Sequence, residues 1–124
     1  MKKIVLILAL FVVCLYLAPQ RVSAQDPVKV DSKHYKVVFE NDQVRVLRIT
    51  YGPHEKSVMH AHPNAVAVYM TDQNVKFTTP DGKSQTLPGK TGDAIWTPAG
   101  DHLPENLSDK SMEVLLVELK APAK

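Results

Sequence analysis

The chain has 124 residues, with 15 Lys and Arg against 13 Asp and Glu and a formal net charge of +2. That length is enough for one small domain and no more. A single cysteine excludes a disulfide framework, and the absence of a basic run or basic–aromatic strip argues against a nucleic-acid partner.

At the N-terminus, Lys2 and Lys3 precede an unbroken apolar run from Ile4 to Leu17. The run is too short for a comfortable membrane span and suits the apolar segment of a secretory leader. Pro19, Gln20 and Arg21 break it, and Val22-Ser23-Ala24 supplies a small-residue cleavage pattern. Residues 1–24 are therefore expected to be a signal peptide cut after Ala24, with the mature chain exported to the periplasm or secreted and no membrane partner after cleavage. Loss of Lys2, Lys3 and Arg21 leaves twelve basic side chains against thirteen acidic ones, a balance of −1. The lone Cys14 lies in the leader and follows Val13, where a lipid-attachment signal would want a small residue. The mature domain then has no cysteine, and a transition-metal site in it must draw on histidine and carboxylate.

Residues 25–35 read as an N-terminal arm, polar and extended through Lys33. Strands dominate the remainder, residues 36–120. Lys36 to Glu40 is β-rich and Asn41-Asp42 turns the chain. Gln43 to Tyr51 alternates, with Val44, Val46 and Arg48 on one side and Arg45, Leu47 and Ile49 on the other. Val58 to His62 and Ala65 to Thr71 are the next extended segments. Val75 to Thr79 and Lys83 to Leu87 flank Pro80-Asp81-Gly82, where Pro presets φ and Gly accepts a positive one, so they form a hairpin. A second loop begins at Leu87, and Asp93 to Pro98 is a strand. A further strand starts at His102, and Met112 to Leu119 closes the domain as a buried strand. Met70, Val68 and Val66 share parity and are expected to line the interior, with Tyr69 opposite. Eight or nine short strands with no helical stripe of ten residues argue a sandwich or small barrel.

His60 and His62 sit two apart, so on a strand both imidazoles face one side, and neutral imidazole suits Zn, Fe, Ni or Cu. Alone, the pair is equally compatible with surface or hydrogen-bonded core histidines. Forty residues on, Gly92 and Gly100 bracket a β-segment ended by Pro98, and His102 follows. His102 and Asn106 share a face if their strand is regular. A third histidine on a neighbouring strand can complete a facial set.

Together these segments resemble the paired motifs of the cupin superfamily. Gly52 and His60-Ala61-His62 match the first motif. Gly92, Pro98, Gly100, His102 and Asn106 match the second, with one residue rather than two between Gly100 and His102. The pattern from Phe39 to Leu119 is similar to small single-domain cupins, some of them described as β-alanine degradation proteins. The resemblance implies an all-β fold, a small double-stranded β-helix or jelly-roll barrel, often dimeric. It also implies one divalent transition metal (Fe, Mn, Ni or Zn) held by His60, His62 and His102. The metal would serve a small-molecule substrate or ligand, with a mononuclear-metal oxygenase, a non-catalytic binding protein and a metal-dependent isomerase or lyase all open. Catalytic residues beyond the metal set are not indicated.

The sequence departs from the motif at its carboxylate, whose position falls on Val66, or on Ala67 with the longer spacer. Three imidazoles with open positions remain chemically adequate, or Glu105 or Glu55 supplies a carboxylate from elsewhere; strand alternation sets Glu105 opposite His102. Val66 is expected as an apolar wall of the site and Trp96 as a pocket or core residue, with core packing favoured. Asn106 is expected either to hydrogen-bond close to the metal or to stabilise a turn. His34 and His54 read as solvated loop histidines. A homodimer is a candidate assembly, with Met112 to Leu119 as a strand that could pair between subunits.

Overall fold

The computed structural model describes residues 25–122; the expected leader, its cleavage site at Ala24 and Cys14 lie outside the described residues. The arm is not extended. Asp26 caps a four-residue helix, α1 (Pro27–Val30), its side chain accepting from the Val28 N–H at 2.9 Å. An Asp–Pro pair is a helix start, because Asp satisfies a free N–H and Pro has none to lose. The arm is fixed to the domain by Arg45 Nη1 on Asp26 at 2.7 Å and by the Ala61 N–H on the Gln25 carbonyl at 3.0 Å.

Nine strands follow: β1 (Tyr35–Glu40), β2 (Val44–Tyr51), β3 (His60–His62), β4 (Ala65–Tyr69), β5 (Gln73–Thr78), β6 (Ser84–Gly89), β7 (Ala94–Thr97), β8 (Gly100–Asn106) and β9 (Met112–Leu119). They form two antiparallel sheets, one in the order β1-β2-β9-β4-β7 and the other β3-β8-β5-β6. The expected hairpin is present: Gly82 has φ 84° and the Thr79 N–H donates to the Lys83 carbonyl at 2.9 Å. β6 runs on through Pro88 to Gly89, where a loop was expected. Its place at the sheet edge tolerates a residue without an N–H.

Leu47, Ile49 and Tyr51 of β2 and Met112, Val114 and Leu116 of β9 point between the sheets and form the core with Ala65, Ala67 and Tyr69 of β4. This reverses the expected phase of β4. Val66 and Val68 face outward, and Met70 beyond them is 43% exposed. The run Ala-Val-Ala-Val is apolar on both faces, so its own pattern cannot set the phase. The register with β9 does, pairing Ala67 with Leu116 and Tyr69 with Val114. Tyr69 fits inside because its ring lies against Gly89, where a Cβ would collide with it.

The outer face of the five-stranded sheet carries a row that crosses every strand: Phe39, Val46, Val117, Val66 and Trp96 are successive cross-strand partners. Trp96 is 56% exposed, so it is not the core residue favoured, because β7 is an edge strand and Trp96 pairs with Val66; it does border the cavity, the other role expected of it. β9 is hydrogen-bonded along both edges, by β2 and β4, so it has no free edge to pair with a second subunit.

Candidate metal and ligand site

β3 and β8 are antiparallel neighbours with His60 opposite His102 and His62 opposite Gly100. This register gathers the three histidines. The His60 and His102 ring centroids are 4.9 Å apart at 88°, and those of His62 and His102 are 4.5 Å apart at 44°. Phe77 of β5 stacks on the other side of His102, with centroids 5.0 Å apart.

Local bonds orient two of the rings. His60 Nδ1 lies 2.9 Å from the Val58 carbonyl, and His62 Nδ1 lies 2.9 Å from the Pro63 carbonyl. A carbonyl can only accept, so each Nδ1 carries the proton and each Nε2 presents a lone pair. His60 Nε2 accepts from the Tyr35 hydroxyl at 3.2 Å, and Tyr35 lies 2.6 Å from the Tyr51 hydroxyl. All three groups of this chain are buried. Burial pushes the His60 imidazole down, and burial with the neighbouring His62 and His60 charges pushes His102 down to about 3. Both rings are therefore neutral at physiological pH.

The donor chemistry fits a divalent transition ion: three imidazoles, two of them with Nδ1 turned to a backbone carbonyl. As placed, the rings do not converge. Among the described residues no group of three or more His, Cys, Asp or Glu side chains is arranged to hold a metal ion. His60 Nε2 is engaged by the Tyr35 hydroxyl instead.

Neither expected carboxylate joins the histidines. Glu105 is held at Lys76 Nζ, 2.7 Å away, which lowers its pKa from the ordinary carboxylate value. Glu55 accepts from Lys33 at 2.7 Å, from the Gly52 N–H at 2.8 Å and bonds His34 Nε2 at 2.8 Å; these partners hold its carboxyl at about 2. His34 is buried between Glu55 and Asp31 and stacked on Tyr51, against the solvated histidine expected. Its partners are too distant in sequence, or too short-range a motif, to be read from one chain. His54 is exposed and pairs with Asp109 at 2.6 Å. Asn106 shares the inward parity of His102, but its Nδ2 donates to the Gly52 and Lys110 carbonyls at 2.9 and 2.8 Å, and its Oδ1 accepts from the Ser108 N–H. It ties loops together, which is the turn-stabilising alternative.

The histidines open on a cavity of about 370 Å³ between the sheets, within the range of small-molecule sites. Its lining is mostly apolar, including Ile49, Val75, Leu87, Met112 and Leu116. Val66 is not part of this wall. Ala67, the alternative position for the motif carboxylate, is, and it presents only a methyl group. Tyr69 and Gln73 were missed as cavity residues, Tyr69 because the phase of β4 was read in reverse.

The arrangement of two sheets around a cavity with His60, His62 and His102 on one wall is decisive for the fold. The fold is that of the cupins. Solved cupin structures are similar to it. A cupin domain from Bordetella pertussis Tohama I is 29% identical, with a TM-score of 0.66, over 70% of this chain and 92% of its own. A double-stranded β-helix protein from Klebsiella pneumoniae is 18% identical, with a TM-score of 0.57, over 90% of both chains. An oxalate decarboxylase structure is 22% identical, with a TM-score of 0.54, over 76% of this chain and 27% of its own. No protein-family model matches the chain, and no curated protein matches it.

Neutral buried histidines make a definite prediction for the metal-free protein. The unfolded chain takes up a proton at His102 below about pH 6.5, and the folded chain takes it up only near 3. Stability from this residue is thus complete above 6.5 and is lost as pH falls toward 3, by about 1.4 kcal/mol per pH unit. Urea unfolding between pH 7 and 4 should therefore show a shallower pH slope in His102→Gln than in the parent. Equal slopes would contradict the burial of this imidazole.

Proposed function

We propose that this cupin domain binds one divalent transition metal (Fe, Mn, Ni or Zn) through His60, His62 and His102 and uses it to act on a small molecule in the adjoining cavity. The observation that carries this reading is the pairing of His60 with His102 across β3 and β8, with the Nδ1 atoms of His60 and His62 turned to backbone carbonyls, beside a mostly apolar cavity. When bound, the ion supplies Lewis acidity and open positions for exogenous ligands. An ion at His60 Nε2 displaces the Tyr35 hydroxyl, which keeps its existing hydrogen bond with Tyr51 by becoming the donor in it. The apolar lining excludes water and binds the hydrocarbon part of a ligand. With a methyl at Ala67 and both glutamates engaged elsewhere, three imidazoles leave the full ionic charge uncompensated, which favours an anionic ligand. Mononuclear-metal oxygenase chemistry is the enzymatic form of this proposal.

A non-catalytic binding role is favoured by a different observation: the cavity lining contains no carboxylate except Asp101, which is exposed at its rim. Among the described residues, carboxylate acid–base catalysis therefore has no group in the interior, and histidine and tyrosine are the titratable side chains there. Export to the periplasm or outside the cell, proposed from the leader, suits either role.

The test uses the chain as purified, its N-terminus read by mass spectrometry, loaded anaerobically with each of the four ions and then desalted. About one ion per chain is expected for at least one metal, and the His60→Gln/His62→Gln/His102→Gln protein should retain less than about a tenth of it. Negligible binding of all four ions by the parent chain contradicts the proposal. A cavity ligand whose thermal-shift effect survives chelation would favour the binding role over metal chemistry.

For the partner, we infer that a second copy of the chain covers the outer face of the five-stranded sheet. The row Phe39–Val46–Val117–Val66–Trp96 is nearly palindromic, with Val117 on the central strand and an aromatic ring at each end. A two-fold axis along β9 would place Phe39 of one copy over Trp96 of the other and Val46 over Val66, the self-matching that an isologous interface requires. Lys36, Arg48 and Glu113 give one end of the face a rim of mixed sign. Trp96 is the single tryptophan, so its emission reports the interface. Sedimentation equilibrium should give a dimer with blue-shifted emission, and Val117→Lys a folded monomer with red-shifted emission. A monomeric parent, whatever its emission, would overturn the assignment.

A further inference from the structure

The end of the N-terminal arm carries a chemistry that the cavity does not use. Cleavage after Ala24 makes Gln25 the first residue of the mature chain. Gln25 is exposed, and its carbonyl ties it to the fold by accepting from the Ala61 N–H at 3.0 Å. Ala61 lies between His60 and His62 in β3, a strand of three residues at the edge of its sheet. The next residue is fixed independently, since Asp26 caps α1 and pairs with Arg45 Nη1 at 2.7 Å. The arm's first residue therefore holds the histidine strand through one oxygen. Its α-nitrogen and its side-chain amide take no part in that bond.

A glutamine with a free α-amine can react with itself. An α-ammonium ordinarily has a pKa of about 7.7–8.0, so near neutrality part of the population is unprotonated and nucleophilic. The α-nitrogen attacks Cδ of the Gln25 amide. A bond forms between that nitrogen and Cδ, and the bond from Cδ to Nε2 breaks. The proton shed by the amine passes to the departing nitrogen, which leaves as ammonia; no oxidant, reductant or co-reactant is consumed. The product is a neutral five-membered lactam built from N, Cα, Cβ, Cγ and Cδ. The backbone carbonyl stays outside the ring, so its bond with the Ala61 N–H is compatible with closure. The uncleaved chain cannot react in this way, because the nitrogen of residue 25 is then an amide whose lone pair is delocalised.

We propose that Gln25 is a modification site: once the leader is removed it closes to pyroglutamate, and the lactam preserves on the arm the carbonyl that pins β3. The inference rests on the proposed removal of the leader and on nothing at the metal site. An exopeptidase that recognises a free α-ammonium has none to hold on the closed chain, so residue 25 is retained. Its loss would strip the Ala61 N–H of its partner on the open edge of β3, between the two histidines. The modification thus protects the one arm residue that bonds the histidine strand directly.

The test expresses the full chain with its leader, purifies it from whole cells and incubates it at neutral pH. Intact mass and stepwise N-terminal degradation are then read. The expected species spans residues 25–124, is lighter than that sequence by one ammonia, and is refractory to stepwise degradation until a pyroglutamyl aminopeptidase opens it. Gln25→Ala should also start at residue 25, but with its full mass, a readable N-terminus and trimming by a general aminopeptidase. A parent chain that starts at Gln25 and keeps its ammonia through prolonged incubation overturns the modification while the leader reading stands. A chain that keeps its leader, or starts elsewhere, overturns both. Hydrogen exchange tests the anchoring: enzymatic removal of the lactam residue should speed exchange of the Ala61 amide by about tenfold or more. Unchanged exchange would overturn the protective role assigned to the ring.

Discussion

The antiparallel pairing of β3 with β8 is the constraint on which the rest of the site depends. β3 is only three residues long, yet its register sets His60 against His102 and carries His62 beside them. It is secured from both flanks: the Ala61 N–H reaches the Gln25 carbonyl of the arm, and the Ser57 N–H just before the strand donates to the Pro104 carbonyl of β8. A slip of one residue would exchange the two histidines for Ala61 and empty the cavity wall of donors. The arm is therefore part of the site's support and not a tether.

A second layer of polar contacts lies behind the histidines. Ser57 Oγ donates to Asp31 at 2.5 Å, Asp31 holds His34, and His34 bonds Glu55, which closes on Lys33 at the surface. These groups stack against Tyr51, whose hydroxyl meets Tyr35. Buried polar groups in such a network hold each other in place only when each is paired. That condition is met here, and of these groups only Tyr35 and Tyr51 reach the cavity lining. The cavity lining is mostly apolar, with the histidines on one wall.

Much of this fold was legible in the sequence because β-structure and turns leave local marks. The alternation of Val44 to Tyr51, the Pro80-Asp81-Gly82 turn and the apolar closing strand depend on neighbours in sequence, and the structure has them where they were expected. The histidine motif was legible too, as spacing. What failed was what depends on distant partners. The Ala-Val-Ala-Val segment is apolar on both faces, so only its pairing with β9 decides that Ala67 and Tyr69 enter the cavity and Val66 leaves it. Trp96 carries no local sign that its strand is an edge. Glu55 looked free to reach the histidines because Lys33 and His34, which hold it, lie more than twenty residues away. Gln73 looked like part of a turn, and its place in the cavity lining follows from the pairing of β5 with β6.

The central claim is that His60, His62 and His102 share one ion, with Tyr35 yielding His60 Nε2 to it. The most direct measurement is a crystal structure of the metal-loaded protein with anomalous diffraction data collected at the absorption edge of the bound element. The account predicts a single anomalous peak within coordination distance of all three Nε2 atoms, about 2.0–2.2 Å, with the Tyr35 hydroxyl turned from His60 to Tyr51. A peak elsewhere, or a fully loaded crystal in which Tyr35 still bonds His60, would contradict it.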